Sequence, residues 1–566
     1  MDFDPRFDDL NDNQKLAVRT TDGPLLVVAG PGTGKTELLS MRAAQILRQT
    51  DTLPSNILCL TFTENAAANM RERLREIIGE DAYKVAIHTF HGFGVEVINQ
   101  NREYFFNGSD YKPSDELSQH QIVQQIFEKL SRDNPLSSIN HLGEFTYASD
   151  FRSMVSEFKK SGLTSDELRQ IIISNQQVID QISNQVTAVF ADRISKSTIE
   201  KFASLAQEIS NLSEDNLPGG TPSYVSVLSS SIARTVTEAI NLDKTTPITA
   251  WKNQWCTKNV NKDTVLKDSL QTPKLLAALD IYDQYVQALA DAGLYDYDDM
   301  ILNVLRAIDN NPDLKANLSE KYQYIMVDEF QDTNLAQLRL LFSLTDYDQP
   351  NIMAVGDDDQ AIFSFQGADV SNIKRFRNRY SNLGIVVLKD NYRSDKQILT
   401  AARELIIQGQ DRLENTDENL SKELTPQFSH QNALVEINKY ISEDTERHFV
   451  TKQISEMIAS GVPAESIAVI ANKHNDLISL LPHLTGAGLQ ASYDRFDNAL
   501  DHELVKIIEQ LARIITAIRH SRHSEANSLL PELISHRAWG FEAIDIWKLS
   551  LAAYQNKQQW LETMQA

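Results

Sequence analysis

Cysteine is nearly absent from this chain. Its two thiols, Cys59 and Cys256, lie far apart and form no CxxC pair, which excludes a disulfide framework and a cysteine-ligated zinc site. Cys59 falls inside an apolar run, so both read as free thiols of a reducing compartment. No stretch approaches the roughly 18–20 apolar residues that a membrane-spanning helix needs, and the acidic start Met1-Asp2-Phe3-Asp4-Pro5-Arg6 lacks the apolar centre of a secretion signal. A cytoplasmic protein without membrane contact is the expectation. Positive charge is scarce too: 54 Lys and Arg stand against 78 Asp and Glu, a formal net charge of −24. That balance argues against broad electrostatic wrapping of duplex DNA, yet leaves room for a narrow groove that binds by stacking. Internal repeats and low-complexity tracts are missing as well. With 566 residues the chain can hold three or four domains, each with a core of its own.

What the chain does have is a phosphate loop. Ala29-Gly30-Pro31-Gly32-Thr33-Gly34-Lys35-Thr36 follows the apolar run Leu25-Leu26-Val27-Val28 and precedes a helical pattern that begins at Glu37. In that setting backbone N–H groups can surround phosphate oxygens, Lys35 can reach the β- and γ-phosphates, and the Thr36 hydroxyl can ligate Mg²⁺. Ala29 replaces the usual first glycine, a small change. The matching acid lies more than half the chain away: Tyr324-Ile325-Met326-Val327 reads as a buried strand that delivers Asp328 and Glu329 at its C-terminal end, Asp328 for Mg²⁺ and Glu329 for the attacking water. Such a separation exceeds what one α/β layer needs, so a large insertion interrupts the first nucleotide-binding domain.

Seven ordered motifs resemble those of the UvrD/Rep/PcrA-like superfamily 1 DNA helicases. They are Leu10-Asn11-Asp12-Asn13-Gln14, the phosphate loop, Thr61-Phe62-Thr63 with Ala66-Ala67-Ala68 and Met70, Thr89-Phe90-His91-Gly92-Phe93, Val327 to Asn334, Val355 to Gln360, and Asn391-Tyr392-Arg393-Ser394. The resemblance implies ATP and Mg²⁺ as cofactors, with Gln14 reading the adenine edge and Tyr392 stacking on the base. It implies Gln360 as the γ-phosphate sensor and Arg393 as an arginine finger brought by a second domain. Thr61, Phe62, Thr63, His91, Phe93 and Phe365 become the expected contacts to single-stranded DNA, aromatic rings stacking on bases without sequence preference. Lys374, Arg375, Arg377 and Arg379 form a local basic run that fits a phosphate contact or a solvated helix face equally.

The fold expected is α/β: a P-loop NTPase with RecA-like parallel sheets. Strands near 25–29, 57–61, 85–88, 324–328 and 352–356 alternate with helical patterns. The resemblance divides the chain into a first RecA-like domain 1A (1–92 and 298–372), a helical insertion 1B (93–297), a partial second RecA-like domain 2A (373–497) and the start of a helical 2B-like domain (498–566). Residues 385–388, 434–437 and 467–470 read as strands of the second domain, with a polar connector over 411–430. Trp539, Trp547 and Trp560 read as core of the tail.

Departures from the family pattern qualify the expectation. Glu37 stands where an adenine-covering Arg is usual, Asn65 where a Lys is usual, and Gln366 where an Arg is usual. Motifs V and VI are not recognisable between residue 495 and Ala566. The sequence thus suggests an ATP-dependent 3′-to-5′ helicase or translocase acting on single-stranded DNA or 3′-tailed duplex, in repair or recombination. A missing C-terminal segment or a protein partner would supply motifs V and VI. Two other readings stay open: a RecB/AddA-like helicase–nuclease subunit fragment, and a non-unwinding ATP- and DNA-binding sensor that serves a partner nuclease.

Overall fold

A computed structural model describes residues 3–105, 111–140, 144–212, 217–259, 261–362, 371–409, 412–416, 420–427, 434–493 and 502–565. The chain divides into two units, one reaching Leu434 and the other running from Val435 onward.

The first unit is built on a six-stranded parallel sheet of β1 (Leu25–Ala29), β2 (Ile57–Thr61), β3 (Ala86–Thr89), β4 (Tyr324–Val327), β5 (Asn351–Gly356) and β6 (Gly384–Leu388), in the order β6-β1-β5-β4-β2-β3. Parallel pairing forces crossover connections, which cover both faces with helices, so the central strands are apolar throughout. Alternation then sorts their side chains. Leu26, Val28, Leu58 and Leu60 enter one core; Leu25, Val27, Ile57 and Cys59 enter the other. Helix α2 (Lys35–Gln49) and α3 (Glu64–Ile78) close the second face, and α4 (Phe90–Gln100), α5 (Asp299–Asn310) and α6 (Leu335–Leu344) the first. Apart from residues 10–14, which precede β1, the motifs named above follow the C-terminal ends of strands, where an open α/β sheet holds its ligands.

The described part of the segment between α4 and α5 is mostly helical, with long helices Ser165–Val189, Tyr224–Leu242 and Lys267–Asp291. It has two cores: one around Phe202 and Trp251, the other around Phe127, Phe151, Tyr282 and Tyr285. Only short strand pairs interrupt it, such as Cys256–Lys258 with Thr264–Leu266. Both cysteines are free and buried.

Several expectations need correction. The strand at 384–388 exists, but it pairs with β1 in register Leu25↔Gly384 to Ala29↔Leu388 and so completes the first sheet rather than opening a second. The supposed polar connector is partly buried: Leu413, Leu420 and Lys422 are enclosed, and β7 (Asp390–Asn391) pairs with β8 (Thr425–Pro426). Residues 434–437 and 467–470 pair with no strand among the described residues. An apolar run becomes a strand only when neighbours take its backbone hydrogen bonds. Each of these two leads instead to a helix, α8 (Glu443–Ala459) and α9 (His474–Gly486). Beyond them the helices Glu503–Arg519 and His523–Ser535 pack around Ile514, Ala526 and Leu530, but Trp539 and Trp547 are exposed and only Trp560 rests against that core. Among the described residues no helix is long and apolar enough to cross a membrane.

One buried cation fastens the start of the first unit. Arg42 on α2 is enclosed and donates to the carbonyls of Ala17 (2.6 Å), Thr20 and Thr21 (3.2 Å), the orphan acceptors where helix α1 (Asp12–Arg19) ends. Burial pushes its guanidinium down to about 10. Arg42→Met, which keeps the bulk and removes the donors, should lower stability by about 2–4 kcal/mol, read as a shift of the urea midpoint. An unchanged midpoint would mean that water replaces the guanidinium.

Candidate nucleotide site and nucleic-acid face

The phosphate loop turns because glycines allow it. Gly32 and Gly34 have φ of +71° and +82°, and a Cβ on Gly32 would lie 2.7 Å from the Arg393 Cβ and 2.8 Å from the Asn391 amide nitrogen. That crowding reflects a direct clamp. The Asn391 amide donates to the Pro31 carbonyl (2.6 Å) and the Tyr392 N–H to the Gly32 carbonyl (2.9 Å). Asn391 also accepts from the N–H groups of Arg393 (2.9 Å) and Ser394 (2.7 Å), so one side chain shapes the turn and fixes it to the loop.

Across the sheet, Asp328 and Glu329 stand at the end of β4. Lys35 reaches Glu329 Oε2 at 2.6 Å, and Glu329 is held with φ +47°, a left-handed conformation unusual for a side-chain-bearing residue. The Gln331 amide nitrogen donates to Glu329 (2.9 Å) and Asp332 (3.2 Å), while its carbonyl accepts from the Asp357 N–H (3.0 Å). A Cβ on Gly356 would lie 2.6 Å from that carbonyl oxygen, which explains the glycine there. Gln360 in turn donates to Asp357 at 2.9 Å. Pro31, Lys35, Thr36, Glu329, Gln360 and Arg393 thereby line one cleft of about 200 Å³.

Two carboxylates near the cleft are held in an environment that disfavours their charge. Burial, with the adjacent Glu329 charge, pushes the Asp328 carboxyl up to about 6 despite Lys35, and the same causes raise Asp332 to about 6. Among the described residues the buried Asp328 carboxylate accepts only the Glu329 N–H (3.0 Å), and Asp332 Oδ1 is buried with no partner. Thr36 and Asp328 are hard oxygen donors of the type Mg²⁺ prefers, and the under-satisfied Asp328 fits such a group.

The second candidate surface follows β2 and β3. Phe62 is half-buried and Thr63 exposed, its hydroxyl capping α3 through the Ala66 N–H (3.1 Å). The His91 ring stacks on Tyr297 at 4.0 Å, and Tyr297 is 57 % exposed.

The sequence model of the UvrD/REP helicase N-terminal domain matches residues 10–218 and 190–381, and that of the UvrD-like helicase C-terminal domain matches 386–517. The chain belongs to the UvrD/REP helicase family. Similar proteins include the ATP-dependent DNA helicase PcrA of Bacillus subtilis, 28 % identical over 70 % of this chain and 39 % of the relative. DNA helicase II of Rickettsia typhi is 28 % identical over 79 % and 51 %, and Staphylococcus aureus PcrA 24 % over 86 % and 52 %. The chain thus spans about half the length of these relatives, or less.

Within this UvrD/REP framework the nucleotide residues converge and the DNA candidates scatter. Lys35, Thr36, Glu329, Gln360 and Arg393 meet at the cleft. Arg393 reaches it from within the first compact unit, on a stretch that the C-terminal-domain model matches. Gln14 is buried: its carbonyl accepts from the Asn11 N–H (3.0 Å) and its amide donates to the Thr33 carbonyl (2.9 Å), so it buttresses the phosphate loop in this structure. Tyr392 is exposed and accepts from the Asn11 amide (3.1 Å). Thr61 is buried with its hydroxyl on the Thr63 carbonyl (3.1 Å), which removes it from any nucleic-acid surface. Phe93 is 0 % exposed and packs edge-on against Tyr322. Phe365 lies outside the described residues.

Two residues went unread in the sequence. Arg73 on α3 lines the cleft and pairs with Glu37 (3.3 Å), which also meets Arg6 (3.4 Å). The acid at position 37 therefore brings a cation to the rim from the neighbouring helix; the charge reversal at 37 was the available signal. Tyr297 supplies the exposed ring that Phe93 does not. Phe93→Ala should cost about 3–5 kcal/mol of stability, as a buried aromatic does. Tyr297→Ala should stay within about 1 kcal/mol of the parent, as an exposed position does. Thermal or urea unfolding of the pair checks both, and equal losses would contradict the assignment.

Proposed function

We propose that this chain is an ATP-hydrolysing motor that moves along single-stranded DNA in the 3′-to-5′ direction. The observation that carries the reading is the meeting of Lys35, Thr36, Glu329, Gln360 and Arg393 around one cleft, on four segments spread from residue 35 to residue 393. Glu329 pairs with Lys35. A triphosphate entering the cleft offers Lys35 a stronger anionic partner, and Glu329, freed, orients a water on the γ-phosphorus. The water oxygen bonds to phosphorus, the bond to the β-phosphate oxygen breaks, and Glu329 takes the proton. Arg393 and Lys35 balance the charge that develops on the leaving oxygens, a contribution of about 10³–10⁵ in rate for an arginine finger. Thr36 and Asp328 would hold Mg²⁺, which would supply further charge neutralisation to the triphosphate. Adenine would lie near Tyr392, with Gln14 and Arg73 at hand.

Phe62, Thr63, His91 and Tyr297 form the proposed DNA face. Stacking suits a chain of net charge −24, because a base–ring contact needs no excess of cations. In the second unit Ile437 and Ile470 are 88 % and 92 % exposed, which fits strands whose neighbours come from further polypeptide, in the same or another chain, bearing motifs V and VI. Repair or recombination is the setting that goes with this reading.

ATP turnover by residues 1–566, with and without oligo(dT), tests it. Mg·ATP should bind, turnover should be slow, and duplex should stay paired until polypeptide with motifs V and VI is added; 3′-tailed duplex should then be unwound and 5′-tailed duplex not. Brisk DNA-stimulated turnover with strand separation by these residues alone would overturn the motif V and VI part, and no nucleotide binding at all would overturn the whole. Tyr297→Ala should weaken oligo(dT) and mixed-sequence binding alike, by about 1–3 kcal/mol in fluorescence anisotropy. Unchanged affinity would remove Tyr297 from the DNA face.

A further inference from the structure

Asp357, Asp358 and Asp359 put three carboxylates on the loop that carries Gln360, with ligand atoms close enough together to hold a metal ion. Their cation is already present. The Lys422 ammonium sits 3.0 Å from Asp357, 2.7 Å from Asp358 and 2.7 Å from Asp359, one contact for each of its three protons. Arg412 adds a two-pronged bond to Asp359 (2.7 and 2.8 Å), and the Leu413 N–H donates to Asp358 (2.8 Å). Glu414 accepts from Arg412 (2.6 Å), from both Arg403 guanidinium nitrogens (2.7 and 3.0 Å) and from the Lys422 N–H (2.5 Å). Arg403 belongs to α7 (Lys396–Ile406), the helix that follows the Arg393 turn.

Continuing from Lys422, the chain forms a strap over the site. The Leu424 side chain lies against Gly30, 3.0 Å from where a Cβ would stand, and the strap then pairs as β8 with β7, Gln427 N–H donating to the Asn391 carbonyl (2.8 Å). One short segment thus touches the carboxylate loop, the phosphate loop and the strand that leads to Arg393. Burial opposes the charge on Asp359, but the bonds from Arg412 and Lys422 outweigh it and hold that carboxyl below its usual range.

We propose that Lys422, supported by Arg412 and Arg403, is a positioning residue that holds the Gln360 loop at the γ-phosphate end of the cleft and so sets the preference for a triphosphate over a diphosphate. This rests on the ATP reading above. Without Lys422 the buried Asp357 and Asp358 and the partly buried Asp359 repel one another, and Asp357, which orients the Gln360 amide, moves with them. The phosphate loop, which holds the α- and β-phosphates, keeps its own clamp through Asn391.

The test is equilibrium binding of Mg·AMP-PNP and Mg·ADP to the full chain, with thermal unfolding recorded alongside. Wild type should prefer AMP-PNP. Lys422→Ala should lose about 10-fold to 100-fold in AMP-PNP affinity with ADP changed less than about threefold, and Lys422→Arg should restore most of the preference. If Lys422→Ala does not fold, Arg412→Lys and the half-exposed Arg403→Gln decide, each shifting the ratio in the same direction. Equal weakening of both nucleotides, or a ratio like that of wild type in every variant, overturns the proposal. Wild type binding neither nucleotide would instead overturn the ATP reading itself.

Discussion

The ion pair between Lys35 and Glu329 joins groups 294 positions apart, and the nucleotide site depends on it. Each partner sits where a strand ends: Lys35 one turn beyond β1, Glu329 just beyond β4, with β5 between the two strands. The pair forms only if the sheet order is right and the long helical insertion returns the chain to the same edge. Glu329 accepts a left-handed backbone, a conformation that costs about 1–2 kcal/mol for a residue with a Cβ. Lys35 and Gln331 hold it there, and Gln331 passes the constraint to Asp357 and so to Gln360.

Charge in this molecule is arranged by place. The overall excess of acid would oppose a polyanion, yet much of it near the site is answered internally. Asp357, Asp358, Asp359 and Glu414 face Lys422, Arg412 and Arg403, and Glu37 faces Arg6 and Arg73. Among the described residues Asp328 and Asp332 are left under-satisfied, beside the cleft where Mg²⁺ would lie. Net charge therefore says little about the local field at the phosphate end.

The sequence made local chemistry legible and left long-range partnership hidden. The phosphate loop, Asp328-Glu329 and the strand runs could be read because glycine turns and buried parallel strands have short-range signatures. Phe93 was misread although a clue was present: Phe90, Phe93 and Val97 repeat at helical spacing on one buried stripe, which marks core rather than a stacking platform. Thr61 was misread because the last residue of a buried strand looks the same as a contact residue beyond it. The run at 384–388 was recognised as a strand, but which sheet it joins depends on register with β1, and no local pattern encodes that. Lys422 was passed over because its partners lie some 65 residues upstream in a motif read only for its glutamine.

On binding a triphosphate, Lys35 is expected to exchange Glu329 for the phosphates while the carboxylate loop stays anchored on Lys422. A structure of the chain with Mg·AMP-PNP measures this directly. Lys35 should leave Glu329 for the β- and γ-phosphate oxygens, Gln360 should reach the γ-phosphate, and Asp357, Asp358 and Asp359 should keep Lys422. A bound triphosphate with Lys35 still on Glu329, or one seated away from Arg393 and Gln360, would contradict it.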